Sequence, residues 1–178
     1  ISKWQKFSGK KNIDVTKDSI LGRTNEKYER GEISTAQFIE SLKKELDLDI
    51  TDEEVLEGWN KIFVGENLGI RDNIDRLVSK YPLYIFSNTS ISHAEFWRNE
   101  YSELLKHFQK IFTSFELGMR KPEKESFLEV CSQMDVLPEK ILFFDDTEEN
   151  IVAANDLGMN AVKVDSIQDI SETIDKLC

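Results

Sequence analysis

Before residue 70, the apolar residues recur at intervals of three and four, which is the spacing of one face of a helix. Phe38 and Leu42 belong to one such stripe. Ser34 and Thr51 each precede a stripe, and each is followed three residues later by a glutamine or a glutamate. That spacing is typical of the capping box that begins a helix. The pattern therefore predicts a small helical bundle, followed by a hinge in the glycine-containing stretch 64–69.

Beyond residue 70, short apolar runs alternate with helical stretches. Alternation of this kind is typical of a parallel sheet whose faces are covered by helices. We therefore predict an α/β fold, with a helical domain over 1–68 and a Rossmann-like parallel-sheet core over 69–178. The predicted strands are 83–86, 111–112, 141–144 and 161–164, and the predicted helices are 71–80, 92–107, 123–135, 148–157 and 168–177.

Composition and charge narrow the classes of partner. The chain has 178 residues with 23 basic and 34 acidic side chains, so its formal charge is −11, which opposes binding to nucleic acid. No apolar run approaches the roughly 18 residues of a membrane helix, so we expect no membrane partner. Two cysteines, Cys131 and Cys178, are too few for a disulfide scaffold and favour a reducing, cytoplasmic location. We expect a monomer or a homodimer.

Polar residues follow the first predicted strand, at the sheet edge where ligands bind in α/β folds. Ser87, Asn88, Thr89 and Ser90 supply hydroxyls, an amide and backbone N–H groups at the start of a helix. Such a segment suits a phosphate or another oxyanion. The alternative is an ordinary loop that begins the next helix, and the residues alone leave both readings open.

Two adjacent carboxylates follow the third predicted strand. Asp145 and Asp146 would repel each other unless a cation lies nearby, and hard oxygen ligands suit Mg²⁺. The alternative is that Asp146 or Thr147 only caps the next helix. Capping accounts for one acid but not for the pair, so we predict a metal site.

Three other residues have side chains that could take part in binding or catalysis, but their sequence context does not decide their role. Lys121 precedes Pro122 ahead of a helix and either holds a phosphate or belongs to a solvated basic pair; we hypothesise a cis peptide bond before Pro122. His93 has no ligand or triad spacing and is expected on a helix surface or interface. Cys131 lies on an apolar helical face, which predicts packing rather than nucleophilic chemistry.

The three polar segments together resemble motifs II, III and IV of the haloacid dehalogenase superfamily. Their order and strand-end context agree, with Ser87, then Lys121-Pro122, then Asp145-Asp146. The segments ERGEIS, SNTSISHAEFWRNEY, ELGMRKPE and FFDDTEENIVAANDLG resemble the phosphatase branch that includes the α-D-glucose-1-phosphate phosphatases. In that branch the helical part is a cap domain inserted after the first core strand.

The resemblance implies a Mg²⁺-dependent phosphatase that acts on small phosphorylated metabolites, with sugar phosphates as the substrate class, through an aspartyl-phosphate intermediate. Ser87 and Asn88 would hold the phosphoryl group, Lys121 would stabilise its charge, and Asp146 would ligate Mg²⁺. Asp145 would ligate the metal or act through water. The alternatives are a metal-independent 2-haloacid dehalogenase and a phosphate-binding member without catalysis.

One family motif is absent from the sequence. The family's nucleophile lies in an Asp-x-Asp motif at the end of the first core strand, ahead of the cap. Asp47 and Asp49 match it as letters but follow a charged helical run, and the pair Asp14 and Asp18 lacks a preceding strand in the same way. We therefore expect the nucleophile in a segment ahead of Ile1, and we expect residues 1–178 alone to be inactive.

Overall fold

The computed structural model describes residues 2–9 and 20–177, which form two compact units. Asp14 and Asp18, which the sequence analysis set aside as candidates for the Asp-x-Asp motif, lie outside the described residues. The helices are α1 Ser2–Ser8, α2 Ile20–Glu29, α3 Thr35–Glu45, α4 Asp52–Asn60, α5 Ile70–Val78, α6 Ile91–Glu100, α7 Ser102–Leu105, α8 Ser114–Leu117, α9 Lys124–Met134, α10 Glu148–Asp156 and α11 Ile167–Leu177. The strands are β1 Tyr84–Ser87, β2 Lys110–Thr113, β3 Leu142–Asp145 and β4 Asn160–Lys163.

The first unit is helical. It contains the described residues up to Val64 together with Asn88–Ser102 and Thr113–Gly118. Its core is aromatic: the rings of Tyr28 and Phe38 stack with their centroids 4.2 Å apart. Aliphatic and aromatic side chains from α1, α3 and α4 complete the buried cluster, among them Trp4, Ile39, Leu42 and Val55.

Both predicted capping boxes are confirmed. The Ser34 hydroxyl accepts from the Gln37 N–H at the start of α3, and Gln37 accepts from the Ser34 N–H. Thr51 and Glu54 exchange the same pair of hydrogen bonds at the start of α4. These bonds satisfy N–H groups that the first turn of a helix leaves without a partner, which is why both helices begin where the spacing predicts.

The second unit contains Gly65–Ser87, Glu103–Phe112 and the chain from Met119 onward, and so nearly all of the strand residues. β3 and β4 pair in parallel, with Asp145 opposite Lys163 at their carboxyl ends. Helices α9 and α10 pack on the strands through a buried cluster that includes Phe127, Cys131 and Ala154. The predicted strands each match an observed strand to within one or two residues, and the α/β class is confirmed.

The four described strands form two pairs. β1 is a neighbour of β2, and β3 is a neighbour of β4, so no described strand joins β1 to β3. β1 and β3 therefore each have a second edge along which no described strand pairs.

One local expectation needs correction. The helix predicted over 92–107 is interrupted at Tyr101, which ends α6 with a non-helical backbone before α7 begins. Of the two places predicted for His93, a helix surface or an interface, the structure has the second: its ring is buried and stacks on Trp59 of α4 with a centroid distance of 4.6 Å. Burial lowers the pKa of His93 to about 4 and so keeps the ring neutral at neutral pH.

Candidate active site

Lys121 lies in the loop before α9, with its ammonium group at the carboxyl ends of β1 and β3. Its side chain is buried, although lysine is rarely buried without a partner. Nζ donates to Asp145 Oδ2 at 2.6 Å and to the carbonyl oxygen of Phe86 at 2.8 Å. The centroids of the Phe86 and Phe143 rings lie 5.1 and 5.4 Å from Nζ. The predicted cis peptide bond before Pro122 is confirmed.

Asp145 ends β3 and is the buried acidic partner of Lys121. Its Oδ1 atom accepts from the Asn150 side-chain amide and from the Thr147 N–H, each at 2.9 Å. Burial alone would raise the pKa of Asp145, but the charge of Lys121 and these hydrogen bonds outweigh it and lower the pKa below its usual value. Asp145 is therefore an ionised carboxylate at neutral pH.

Asp146 has the opposite environment, since its side chain is exposed. Thr147 is the N-cap residue of α10, as the capping alternative predicts, although its side chain makes no capping hydrogen bond within the described structure. Asp145 instead accepts the Thr147 N–H. Two neighbouring carboxylates therefore have separate environments: one is buried and held by donors, and the other faces solvent.

The carboxylates at the end of β3 are compatible with a Mg²⁺ site, in which the exposed Asp146 as a ligand stays a prediction. In the described part of the chain, no three His, Cys, Asp or Glu side chains form a group that could hold a metal. Mg²⁺ does not need such a group, because it usually keeps several waters and takes one or two carboxylates with a substrate phosphate. Asp145 already accepts three hydrogen bonds of the about four that a carboxylate can accept, which favours an indirect role for it.

Ser87 is the last residue of β1 and directly follows Phe86, whose carbonyl binds Lys121. The structure thus brings Ser87, Lys121, Asp145 and Asp146 into the second unit, at the ends of β1 and β3. Asn88 begins the following segment of the first unit, so its place in a phosphate site stays a prediction.

Sequence reasoning did not find two backbone contributions to this arrangement. The Phe86 carbonyl and the Thr147 N–H have no side-chain signal, because every residue carries such groups. Asn150, by contrast, is a supporting residue that the family resemblance already implies, and it donates to Asp145 from the first turn of α10. Cys131 is buried in the apolar cluster, as predicted, and burial raises the pKa of its thiol.

A comparison with family models decides the class of protein. The model of the haloacid dehalogenase-like hydrolases matches residues 9–158. The chain belongs to this family. The more specific prediction of the glucose-1-phosphate phosphatase branch stays a prediction.

Relatives of the chain include sugar-phosphate phosphatases. A D-ribitol-5-phosphate phosphatase of Bacteroides thetaiotaomicron is 29% identical over 138 residues, which cover 75% of this chain and 67% of that protein. A phosphorylated carbohydrates phosphatase of Thermotoga maritima is 25% identical over 97 residues, which cover 54% of this chain and 45% of that protein. The chain thus spans only part of the length of these relatives.

Solved structures show the same fold. A HAD family enzyme from Bacteroides thetaiotaomicron, solved as its magnesium complex, has a TM-score of 0.83 at 25% identity, covering 97% of this chain and 87% of that one. A predicted HAD-like family hydrolase from Porphyromonas gingivalis has a TM-score of 0.82 at 23% identity, covering 99% and 87%. These neighbours confirm the Rossmann-like core and the helical cap as the fold of this family member.

Among the helices that the structure describes, none has the length and apolar character that a membrane span requires.

Proposed function

We propose that the chain is the larger part of a Mg²⁺-dependent phosphatase that hydrolyses small phosphorylated metabolites, with sugar phosphates as the substrate class. The observation that carries the proposal is the buried Lys121 ammonium, held by Asp145 at the ends of β1 and β3 next to the exposed Asp146. A buried cation beside a solvent-facing carboxylate suits a phosphoryl group that arrives with a divalent metal ion. The sugar-phosphate phosphatases among the relatives support the substrate class.

Each residue of the site has a distinct role in this proposal. The Ser87 hydroxyl and Asn88 bind the phosphoryl oxygens, and Lys121 neutralises the charge that develops on them. Asp145 holds Lys121 in place, and Asn150 fixes the Asp145 carboxylate through its 2.9 Å hydrogen bond. Asp146 ligates Mg²⁺, which when bound supplies Lewis-acid stabilisation of the phosphoryl oxygens.

The nucleophile is the remaining requirement. Neither Lys121, which pairs with an acid, nor Asp145, which accepts three hydrogen bonds, is free to attack phosphorus. We propose that the first carboxylate of an Asp-x-Asp motif, on a strand ahead of Ile1, attacks phosphorus while the bond from phosphorus to the substrate's ester oxygen breaks. The second aspartate protonates that oxygen, so the alcohol leaves and an aspartyl-phosphate remains, which water then hydrolyses to inorganic phosphate and the free carboxylate. The second edges of β1 and β3 offer backbone groups to such a strand. Asp47 and Asp49 do not replace it, because they follow the helix α3 rather than a strand.

The domain roles follow from the same reasoning. We assign the cap to residues 1–68 and the hydrolase core to residues 69–178. The bounds of the proposed cap differ from those of the first unit, whose first segment ends at Val64 and which also contains Asn88–Ser102 and Thr113–Gly118.

The experiment compares two lengths of chain on two substrate classes. The full-length protein should hydrolyse p-nitrophenyl phosphate and sugar phosphates in the presence of Mg²⁺, and should release no halide from a 2-halo acid. Residues 1–178 alone should hydrolyse neither class, because they lack the proposed nucleophile. Halide release without Mg²⁺ would support the dehalogenase alternative. Phosphate binding without turnover by the full-length protein would support the non-catalytic one.

Robust Mg²⁺-dependent hydrolysis by residues 1–178 alone would contradict the proposed nucleophile. Asp47 and Asp49 would then need to be replaced by asparagine in turn to locate the attacking group.

A further inference from the structure

We propose that Ser114 is a positioning residue for the phosphoryl-binding loop that follows β1. The proposal rests on the function proposed above, in which Asn88 helps to bind the phosphoryl group. Ser114 is the first residue of α8, directly after β2, and its side chain is fully buried. Neither its residue type nor its place in the sequence marks it as part of a site.

The Ser114 hydroxyl makes two hydrogen bonds to one residue of that loop. Its Oγ atom accepts from the Thr89 N–H at 2.9 Å and donates to the Thr89 carbonyl oxygen at 3.0 Å. The first group belongs to the peptide that joins Asn88 to Thr89, and the second belongs to the peptide that follows. Because each peptide unit is planar, these two bonds fix the orientation of two consecutive planes. The backbone on the carboxyl side of Asn88 therefore has a defined direction.

A second side chain holds the same residue. Trp97 Nε1 donates to the Thr89 hydroxyl at 3.2 Å, and Thr89, Trp97 and Ser114 are all buried. Thr89 is thus held through its backbone by α8 and through its side chain by α6. Buried polar groups that lose a partner cannot turn to water, so this network favours one conformation of the loop.

The two residues that follow Ser114 in α8 both contact other parts of the first unit. The next residue, Phe115, directs its carbonyl oxygen at Gly31, where a Cβ atom would lie only 2.7 Å away. The residue after that, Glu116, pairs with Arg98 on α6 at 2.9 Å. Because α8 is held by these contacts, the Ser114 hydroxyl is a fixed hydrogen-bonding partner for the Thr89 backbone.

Preorganised donors are what make an anion site effective, because a loop that must reorder on binding loses affinity. Replacing Ser114 with alanine removes both bonds to Thr89 and frees the peptide next to Asn88. We expect the affinity for inorganic phosphate to fall. The affinity for Mg²⁺ in the absence of phosphate should be unchanged, because Asp146 directly follows β3 and does not belong to the loop after β1. A purely structural role would lower stability without this selectivity.

Ser171→Ala is the matched control. The Ser171 hydroxyl also accepts from an N–H group, that of the Asn73 side chain at 3.0 Å, and donates to a carbonyl oxygen, that of Ile167 at 3.1 Å. It joins α5 to α11 and belongs to no proposed site. Loss of its bonds should lower stability in the same way as loss of those of Ser114.

The test is calorimetric titration of the full-length protein and its variants with inorganic phosphate and, separately, with Mg²⁺. Ser114→Ala should weaken phosphate binding by about tenfold, the equivalent of about 1.4 kcal/mol, with an unchanged Mg²⁺ affinity. Ser114→Cys should lose less, because a thiol keeps weak donor and acceptor capacity. Ser171→Ala should bind phosphate like the wild type.

Two results would overturn the positioning role while leaving the proposed function intact: unchanged phosphate affinity in Ser114→Ala, or an equal loss in Ser171→Ala. If Ser114→Ala does not fold, Trp97→Phe takes its place, with a loss of phosphate affinity expected and wild-type affinity contradicting the proposal. Failure of the wild-type protein to bind phosphate would refute the proposed function itself.

Discussion

Replacing Lys121 with methionine should lower the free energy of unfolding, because it leaves the buried Asp145 carboxylate without its cationic partner. Methionine has a similar length and fills the space between the Phe86 and Phe143 rings, but it removes the charge that faces Asp145. The two partners are only 7% and 9% exposed. Removing one member of a buried ion pair leaves an uncompensated charge, which typically costs about 3–5 kcal/mol of unfolding free energy.

The pH dependence tests the cause of that loss. In the wild type, the lowered pKa of Asp145 stabilises the fold above the usual carboxyl pKa, and this contribution is lost as the pH falls through the lowered value. Without Lys121, burial is opposed only by the Asn150 and Thr147 donors, so the pKa of Asp145 should rise. The difference in unfolding free energy between Lys121→Met and the wild type should therefore shrink as the pH is lowered from 7 toward 4.

Urea unfolding of the full-length protein at several pH values measures both effects. Lys106→Met is the matched control, because Lys106 pairs with Glu103 on an exposed helix surface, where ion pairs contribute little. The reasoning fails if Lys121→Met loses no more stability than this control, or if its loss is independent of pH.

Two further variants test other parts of the structure by the same unfolding assay. Gly31 and Gly118 both have φ of +69°, but only at Gly31 would a Cβ atom meet a carbonyl oxygen, that of Phe115. Gly118→Ala should lower the unfolding free energy by roughly 1–2 kcal/mol through the backbone conformation alone, and Gly31→Ala should lower it by more. Equal losses would contradict the close contact with Phe115. Because burial lowers the pKa of His93 from 6.5 to about 4, the unfolded state binds more protons between these values, and unfolding free energy should fall by about 3 kcal/mol as the pH drops through that window. His93→Phe should flatten this slope, and an unchanged slope would assign it to other groups.

The alternation of apolar runs and helical stretches was sufficient to predict the strands and most of the helices of the second unit. Most strand residues are apolar and at least half-buried, so each strand contains a short apolar run, and polar residues with chemical roles follow two of these runs. The capping boxes at Ser34 and Thr51 marked two helix starts in the first unit, because their side-chain bonds are local in sequence. Asp145, Lys121 and Ser87 were recognisable because they stand at strand ends or beside a proline.

Contacts between residues that are far apart in the chain could not be predicted from the sequence pattern. The apolar stripe on 92–107 gave no sign of the break at Tyr101 or of the burial of His93 against Trp59 on α4. The different environments of Asp145 and Asp146 depend on which one faces Lys121, which adjacent identical residues cannot reveal. The contact of Ser114 with Thr89 depends on the placement of β2 beside β1.

The most direct test of the proposed function is the Mg²⁺ dependence of phosphomonoester hydrolysis by the full-length protein and by Asp146→Ala. The wild type should turn over p-nitrophenyl phosphate with Mg²⁺, lose activity with a chelator and recover it when Mg²⁺ is restored. Asp146→Ala should keep the wild-type unfolding free energy, because Asp146 is exposed, and should have no Mg²⁺-dependent turnover. Hydrolysis by Asp146→Ala at the wild-type rate, or wild-type hydrolysis that a chelator does not affect, would contradict the proposed metal-dependent phosphatase.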